Sequence, residues 1–288
     1  MTTTSRSGTP APAPGCSLTL EKHHGLGNDF LVVFDPSVAD ADLPALARRV
    51  CDRRRGIGAD GLLVGTESAE LHDAGYDARM VLYNADGSRA EMSGNGIRCF
   101  AQALARRRGD LGAQRILTDA GERAVVLHAS DRADTVEASV EMGGIGTLTE
   151  PEGWSELGAH PDRPVAHLDL GNPHSVVGVD DVRAVDLVTL GGKVPHVNLE
   201  IIEPGPEPHG ITMRVHERGV GVTDACGTGA CASAWAAVKW GLVAATTQEV
   251  VVHMDGGSAK VSVNHPVDGS VTLTGPAAYI ATIEIDLT

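Results

Sequence analysis

Short apolar or alternating runs, each closed by glycine, asparagine or aspartate, set the rhythm of the first half of the chain. Residues 17–22, 30–34, 62–64, 80–83 and 124–127 fit this pattern and predict short strands. Residues 135–142 alternate apolar with polar and predict the second arm of a hairpin. Two segments have helical spacing instead. In the first, Leu43, Leu46, Ala47 and Val50 share a face, Asp42 and Pro44 suit the N-cap and first turn, and the glycines of 56–61 mark its end. In the second, Ile97, Phe100, Ala101 and Leu104 share a face, and Arg106, Arg107, Arg108 and Gly109 close it with cations and then glycine. Three adjacent arginines also admit phosphate binding, but a helix C-terminus accounts for them without a ligand.

The second half repeats the scheme. Strands are expected at 165–170, 175–179, 197–200, 212–216, 249–254, 259–263, 271–274 and 280–287, with a Pro-rich surface loop at 203–209. An alanine-rich helix follows Cys226 and stops at Gly241. Two motif pairs match in the same order. Ser93-Gly94-Asn95-Gly96 lies over Cys226-Gly227-Thr228-Gly229, and Gly27-Asn28-Asp29-Phe30 over Gly171-Asn172-Pro173-His174. The chain therefore reads as two copies of one unit. Each has many strands and one apolar helix suited to the inside of a curved sheet. That is an α+β fold of two pseudo-symmetric, mainly antiparallel halves with one site in the cleft between them, not a doubly wound parallel sheet. The expected divisions are a disordered tail at 1–16, a first domain of 17–143 plus 277–288, and a second of 144–276, the last strand returning to the first half.

Composition narrows the function. With 288 residues, 42% apolar and 21% charged, the chain has enough core for two medium domains, built without many aromatics (3%). A net charge of -15 argues against nucleic acid or an anionic membrane as the main partner. No apolar run reaches the roughly 20 residues a membrane span needs. The Thr-, Ser-, Pro- and Ala-rich N-terminus has no apolar h-region and reads as a leader or start-site artefact, not a signal peptide. Five cysteines (16, 51, 99, 226 and 231) show neither metal-site spacing nor a disulfide framework, which points to a reducing cytoplasm and no bound metal.

The chemistry concentrates at the Gly-rich motifs. A cysteine directly before Gly227-Thr228-Gly229 stands at a helix N-terminus, where unpaired N–H groups and the helix dipole favour a thiolate or a carboxylate ligand. Two such ends facing each other suit proton removal from one face of a substrate carbon and return from the other, with donors fixed on the charge that develops. Pyridoxal phosphate would need a Schiff-base lysine, and Lys22, Lys193, Lys239 and Lys260 lie in no cofactor motif, so a mechanism with no cofactor is expected.

Seven blocks resemble the diaminopimelate epimerase family and run in its order over nearly the whole chain. They are His24-Gly25-Leu26-Gly27-Asn28-Asp29-Phe30, Gly56-Ile57-Gly58-Ala59-Asp60, Asn84-Ala85-Asp86-Gly87-Ser88, Ser93-Gly94-Asn95-Gly96, Gly171-Asn172-Pro173-His174, Glu217-Arg218-Gly219 and Ala225-Cys226-Gly227-Thr228-Gly229. The resemblance implies a homodimeric enzyme that interconverts LL- and meso-diaminopimelate for lysine and cell-wall synthesis. It implies that Asn28, Asn84, Asn172, Asn198, Glu217 and Arg218 hold the substrate. Gly94, Asn95, Gly227 and Thr228 would bind the carboxylate at the reacting centre, with Cys226 and the residue at position 93 as the acid/base pair. An acid for an ammonium and a guanidinium for a carboxylate suit the distal amino-acid end of that substrate. His174 is expected to support the site without transferring the proton.

Position 93 departs from the family, which has cysteine there. A hydroxyl is a far weaker acid than a thiol. Cys99, six residues on, is too far along the helix to replace it. Gly61 replaces a glutamine found in some members. Three readings follow: an epimerase using Ser93 opposite Cys226; a related epimerase or dehydratase with a single cysteine base; or a Cys-to-Ser variant that binds substrate without turning it over.

Overall fold

The computed structural model describes residues 17–263 and 269–287; the expected tail and Cys16 lie outside them. The first half runs β1 (Ser17–Gly25), β2 (Asn28–Phe34), α1 (Leu43–Cys51), β3 (Gly61–Thr66), α2 (Ala69–Asp73), β4 (Ala78–Asn84), β5 (Arg89–Ala90), α3 (Gly94–Arg108), β6 (Gln114–Thr118), β7 (Gly121–Ala129), β8 (Thr135–Gly144) and a short continuation, β9 (Gly146–Thr147). The second runs β10 (Val165–Asp169), β11 (Pro173–Gly178), α4 (Leu187–Lys193), β12 (Asn198–Pro204), β13 (Gly210–Glu217), β14 (Gly221–Thr223), α5 (Gly227–Trp240), β15 (Val250–Met254), β16 (Gly257–Val263) and β17 (Ser270–Asp286).

One continuous sheet rolls into two rings. In the first, β1 pairs β2, β2 runs parallel to β3, β3 pairs β4, and β4 runs parallel to β6. Antiparallel steps through β7, β8 and β17 then return to β1. The second repeats the order, with parallel steps at β11–β12 and β13–β15 and antiparallel steps on to β16 and β17. The β9–β10 pairing ties it back to β8. The two parallel steps fall at equivalent places, as the repeated motifs require.

Each ring encloses one helix. From Gly94 to Ala105 every residue of α3 is buried, and α5 is buried along most of its length through Ala230, Cys231, Ala232, Ala234, Ala236 and Ala237. Side chains of both helices join one apolar cluster with the inward faces of the strands. Removing a side chain such as Phe100 from water contributes about 1.5–3 kcal/mol. Outside the rings, α1 covers β3 and β4 through Leu43, Leu46, Ala47 and Val50, and α4 closes a smaller cluster on the second half.

Several local expectations change. The helix α1 stops at Cys51, before the glycines, because Asp52 turns the backbone and accepts from the N–H groups of Arg54 and Arg55. Asp42 ends a 3-10 turn and makes no side-chain cap. The elements α2, α4 and β6 had no strong pattern. The expected strands at 271–274 and 280–287 are one strand, β17, unbroken through Gly275 and Pro276. The ladder to β16 ends at Thr274 and the ladder to β1 begins at Ala278, so Pro276 sits where that edge has no strand to bond. The arginines closing α3 pair with Glu21, Glu67, Asp35 and Asp77, the partners a helix end offers.

Candidate active site

Between the rings lies a cavity of about 550 Å³. Its walls include Asn28, Asn84, Ser93, Gly94, Asn95, Asn172, Asn198, Glu217, Arg218, Cys226, Gly227 and Thr228. Every residue named from the sequence as a site candidate is therefore brought together.

The site begins where α3 and α5 meet. Ser93 caps α3, its Oγ accepting from the Gly96 N–H at 3.0 Å. Cys226 caps α5 in the same way, its Sγ accepting from the Gly229 N–H at 3.4 Å. A Cβ built on Gly94 would fall 2.9 Å from the Gly227 Cα, and one on Gly227 would fall 2.8 Å from the Gly94 Cα. Only glycine at both positions lets the two helix ends touch. Their first-turn N–H groups thus face one small volume from two sides, which favours a carboxylate and any charge that builds on it.

Matched turns deliver the asparagines. Gly27 (φ 88°) and Gly171 (φ 87°) both take the left-handed conformation that glycine adopts at little strain, presenting Asn28 and Asn172. Asn28 Nδ2 donates to Asp60 Oδ2 at 2.7 Å, and Arg53 braces Asp60 and Asp29 from behind. Asn172 Nδ2 donates to Thr228 Oγ1 at 3.3 Å. Asn84 Nδ2 reaches Ser88 Oγ at 3.0 Å.

Two candidates spend their side-chain amides on the protein itself. The Asn95 amide group is fully engaged: Nδ2 donates to Asn28 Oδ1 and to the Ala225 carbonyl in the other half, while Oδ1 accepts from Arg98. What Asn95 offers a ligand is its backbone N–H. Asn198 similarly donates to the Pro173 carbonyl and accepts from the Arg218 N–H, so it shapes the wall and aims Arg218. Glu217 Oε1 accepts from Thr223 Oγ1 at 2.5 Å, with the Arg218 side chain exposed beside it.

Electrostatics correct the expected thiolate. Burial pushes the Cys226 thiol well above its ordinary range, and the carboxyls of Glu217 and Glu200 push it further. The Thr228 hydroxyl and Gly229 N–H pull the other way and lose. A helix N-terminus lowers a thiol's pKa when charge and dipole dominate; here desolvation and like charge win. Burial likewise raises Glu217 and Glu200.

Behind Cys226 runs a chain of polar contacts that sequence reading reached only in part. Glu200 Oε1 and His174 Nδ1 meet at 2.6 Å, His174 Nε2 reaches Asn172 Oδ1 at 3.0 Å, and Thr228 Oγ1 lies 3.5 Å from Cys226 Sγ. His174 carries the supporting position expected of it. Glu200 was invisible, because a glutamate in a strand reads as solvent-facing, whereas this one has no exposed surface. Asp60 was legible in its Gly-rich block, though its hold on Asn28 was not.

Solved structures share this architecture. A phenazine biosynthesis protein of the PhzF family from Bacillus anthracis superposes with a TM-score of 0.73 at 13% identity, covering 93% of this chain and 99% of the other. A hydroxyproline epimerase from Agrobacterium vitis gives 0.65 at 14% identity, over 94% and 93%. The class that the fold defines is a two-ring α+β architecture with one cavity where two helix ends meet. A sequence model of the diaminopimelate epimerase family matches residues 20–146 and 167–280. A diaminopimelate epimerase from Halothermothrix orenii is 34% identical over 93% of this chain and 98% of its own length. One from Moorella thermoacetica is 37% identical over 90% and 96%. The chain belongs to the diaminopimelate epimerase family.

Proposed function

We propose that this isomerase interconverts LL- and meso-diaminopimelate by moving the α-proton between two faces of the carbon, with Cys226 on one face and Ser93 on the other. The observation that carries the reading is that these two residues cap the two helices whose first residues, Gly94 and Gly227, are in contact. The reacting carboxylate docks on the N–H groups of Gly94, Asn95, Gly227 and Thr228. That leaves the α-carbon between Sγ and Oγ. Glu217 receives the distal ammonium, Arg218 the distal carboxylate, and Asn28, Asn84 and Asn172 the groups between. Each fixed donor on the developing charge is worth roughly a hundredfold in rate or more.

The two proton carriers are unequal. Cys226 rests as a thiol and takes the base role only after passing its proton to solvent water, a loss that the helix end and Thr228 assist. Ser93 can give a proton to the carbanion, but its alkoxide must recover one from water before the next cycle. Binding of a small-molecule substrate belongs to the family. Pairing into a homodimer, a cytoplasmic location, the independence of a cofactor and the division into domains 17–143 plus 277–288 and 144–276 complete the reading. No helix among the described residues is long and apolar enough to cross a membrane.

The test is proton NMR of LL-diaminopimelate with the protein in deuterium oxide, following loss of the α-proton and growth of the meso isomer. Cys226→Ala is expected to abolish both. Turnover only after Ser93→Cys would identify a site that binds but lacks its second acid/base. Silence from both would sink the substrate and direct attention to β-hydroxy amino acids, where one cysteine base suffices for elimination.

A further inference from the structure

Arg98 is among the largest side chains in the molecule with no exposed surface. Each of its three nitrogens donates to a neutral oxygen: Nη1 to the Gly94 carbonyl at 2.9 Å, Nη2 to Asn95 Oδ1 at 2.7 Å, and Nε to the Pro276 carbonyl at 3.3 Å. Among the described residues no carboxylate forms an ion pair with it; Glu137 acts on it only from a distance, and the neighbouring Cys99 and Cys231 are thiols. Of the other arginines near the cleft, Arg53 is matched with Asp29 and Asp60 and Arg89 with Asp119, while Arg218 in the cleft wall is exposed to solvent.

A buried charge is normally paired, because burying it alone is strongly unfavourable. The surroundings nevertheless make room for this one. A Cβ on Gly25 would lie 3.1 Å from Nη2, and one on Gly275 would lie 3.5 Å from Cζ and Nε. The guanidinium sits under the first turn of α3, bonded to Gly94 and Asn95, whose N–H groups line the point where the two helix ends meet. What the buried cation lacks is an anion, and the place it faces from below is built to hold one.

We infer that Arg98 is a positioning residue whose fixed positive charge is balanced by the substrate carboxylate, and by the further charge that builds there when the α-proton leaves. The inference rests on the proposed reaction. The charge acts through the first turn of α3 without touching the substrate. It favours the bound carboxylate, and favours the doubly charged carbanion more, so its loss lowers kcat more than it raises KM.

The test compares Arg98→Lys, which keeps the charge, with Arg98→Gln, which keeps a donor for Asn95 but is neutral. Epimerisation of diaminopimelate is followed alongside thermal unfolding. Arg98→Gln is expected to lose about a hundredfold in kcat/KM, mostly in kcat, while Arg98→Lys stays within about tenfold of the unmodified protein. Equal loss in both variants, or kcat/KM of Arg98→Gln within twofold of the unmodified protein, would overturn the inference; equal loss would mean the fork matters and the charge does not. If the unmodified protein is silent on diaminopimelate, the reaction reading fails first. The comparison then uses the rise in melting temperature that acetate gives each protein. A rise in the unmodified protein and Arg98→Lys that Arg98→Gln lacks supports the charge role, and equal rises overturn it.

Discussion

Gly94 and Gly227 press against each other at the first residues of α3 and α5, each closing the space in which the other would carry a Cβ. The gap between Ser93 and Cys226 is therefore set by two backbones in contact, not by adjustable side chains. Substituting Gly227→Ala forces the helix ends apart, since the new methyl meets the Gly94 Cα and Leu273 Cδ2 at under 3.0 Å. We expect kcat/KM to fall about a hundredfold or more, because small misplacements at a reaction centre have effects of that size. Stability should fall by only about 1–3 kcal/mol. Steady-state kinetics beside urea unfolding checks both, and full activity in this variant would refute the contact as the determinant of spacing.

In the proposed reaction a thiol faces a hydroxyl, and that pairing makes the two faces unequal. The isomer whose α-proton points at Cys226 should exchange it with solvent deuterium faster than it epimerises, by about tenfold or more, since return from the same thiol competes with delivery from Ser93. The opposite isomer should show no such excess. Ser93→Cys should raise epimerisation and remove the asymmetry. Integration of the α-proton signal for each isomer separately decides the matter.

Because burial, Glu217 and Glu200 raise the Cys226 thiol, substrate-free protein should react slowly with iodoacetamide at pH 7 and faster only as the pH climbs past 9. Replacing Glu200→Gln removes one negative neighbour and should move that onset to lower pH. Peptide mapping by mass spectrometry distinguishes Cys226 from the other cysteines. Rapid labelling at pH 7 would mean that the helix end dominates after all.

Three further buried thiols bear on stability. Burial raises Cys51, Cys99 and Cys231 to about 12 from an ordinary 9.0. Below pH 9 each is a thiol in the folded and the unfolded chain, so its contribution is fully present. From pH 9 to 12 the unfolded chain loses those protons while the folded one keeps them, and stability falls by about 1.4 kcal/mol per pH unit for each thiol. Urea midpoints should drop across that window. A Cys231→Ala variant should show a shallower fall, and an unchanged slope would count against the assignment.

Most of the cavity wall was legible because its residues sit in turns with unusual backbone needs. Gly27 and Gly171 mark Asn28 and Asn172, and the Gly-rich caps mark Ser93 and Cys226. The apolar faces of α1 and α3 located both helices, and the repeated motifs anticipated two equivalent halves. What stayed hidden was long-range. Nothing in one sequence pairs β2 with β3 or β13 with β15 in parallel, and a proline inside β17 reads as a break until its neighbours are known. Charge misled most where it is buried: Glu200 and Arg98 look solvent-facing by type. The thiol's direction was missed because helix ends are visible in sequence while the desolvation opposing them is not.

The course of β17 also fixes the order in which the protein is completed. Its early residues pair β16 and β8, and its later ones pair β1, which begins at Ser17. The first ring made is thus the last one closed. On a ribosome, β1 through β8 emerge early with the seam between β1 and β8 open; the β8 edge waits for residues 270–278 and the β1 edge for residues 278–286. Closing that seam joins residues 17–24 to residues 278–286, a pairing of very long sequence separation, which costs loop-closure entropy before it contributes contacts. A nascent chain stalled before β17 would hold every side chain of the α3 cap without a finished ring around it.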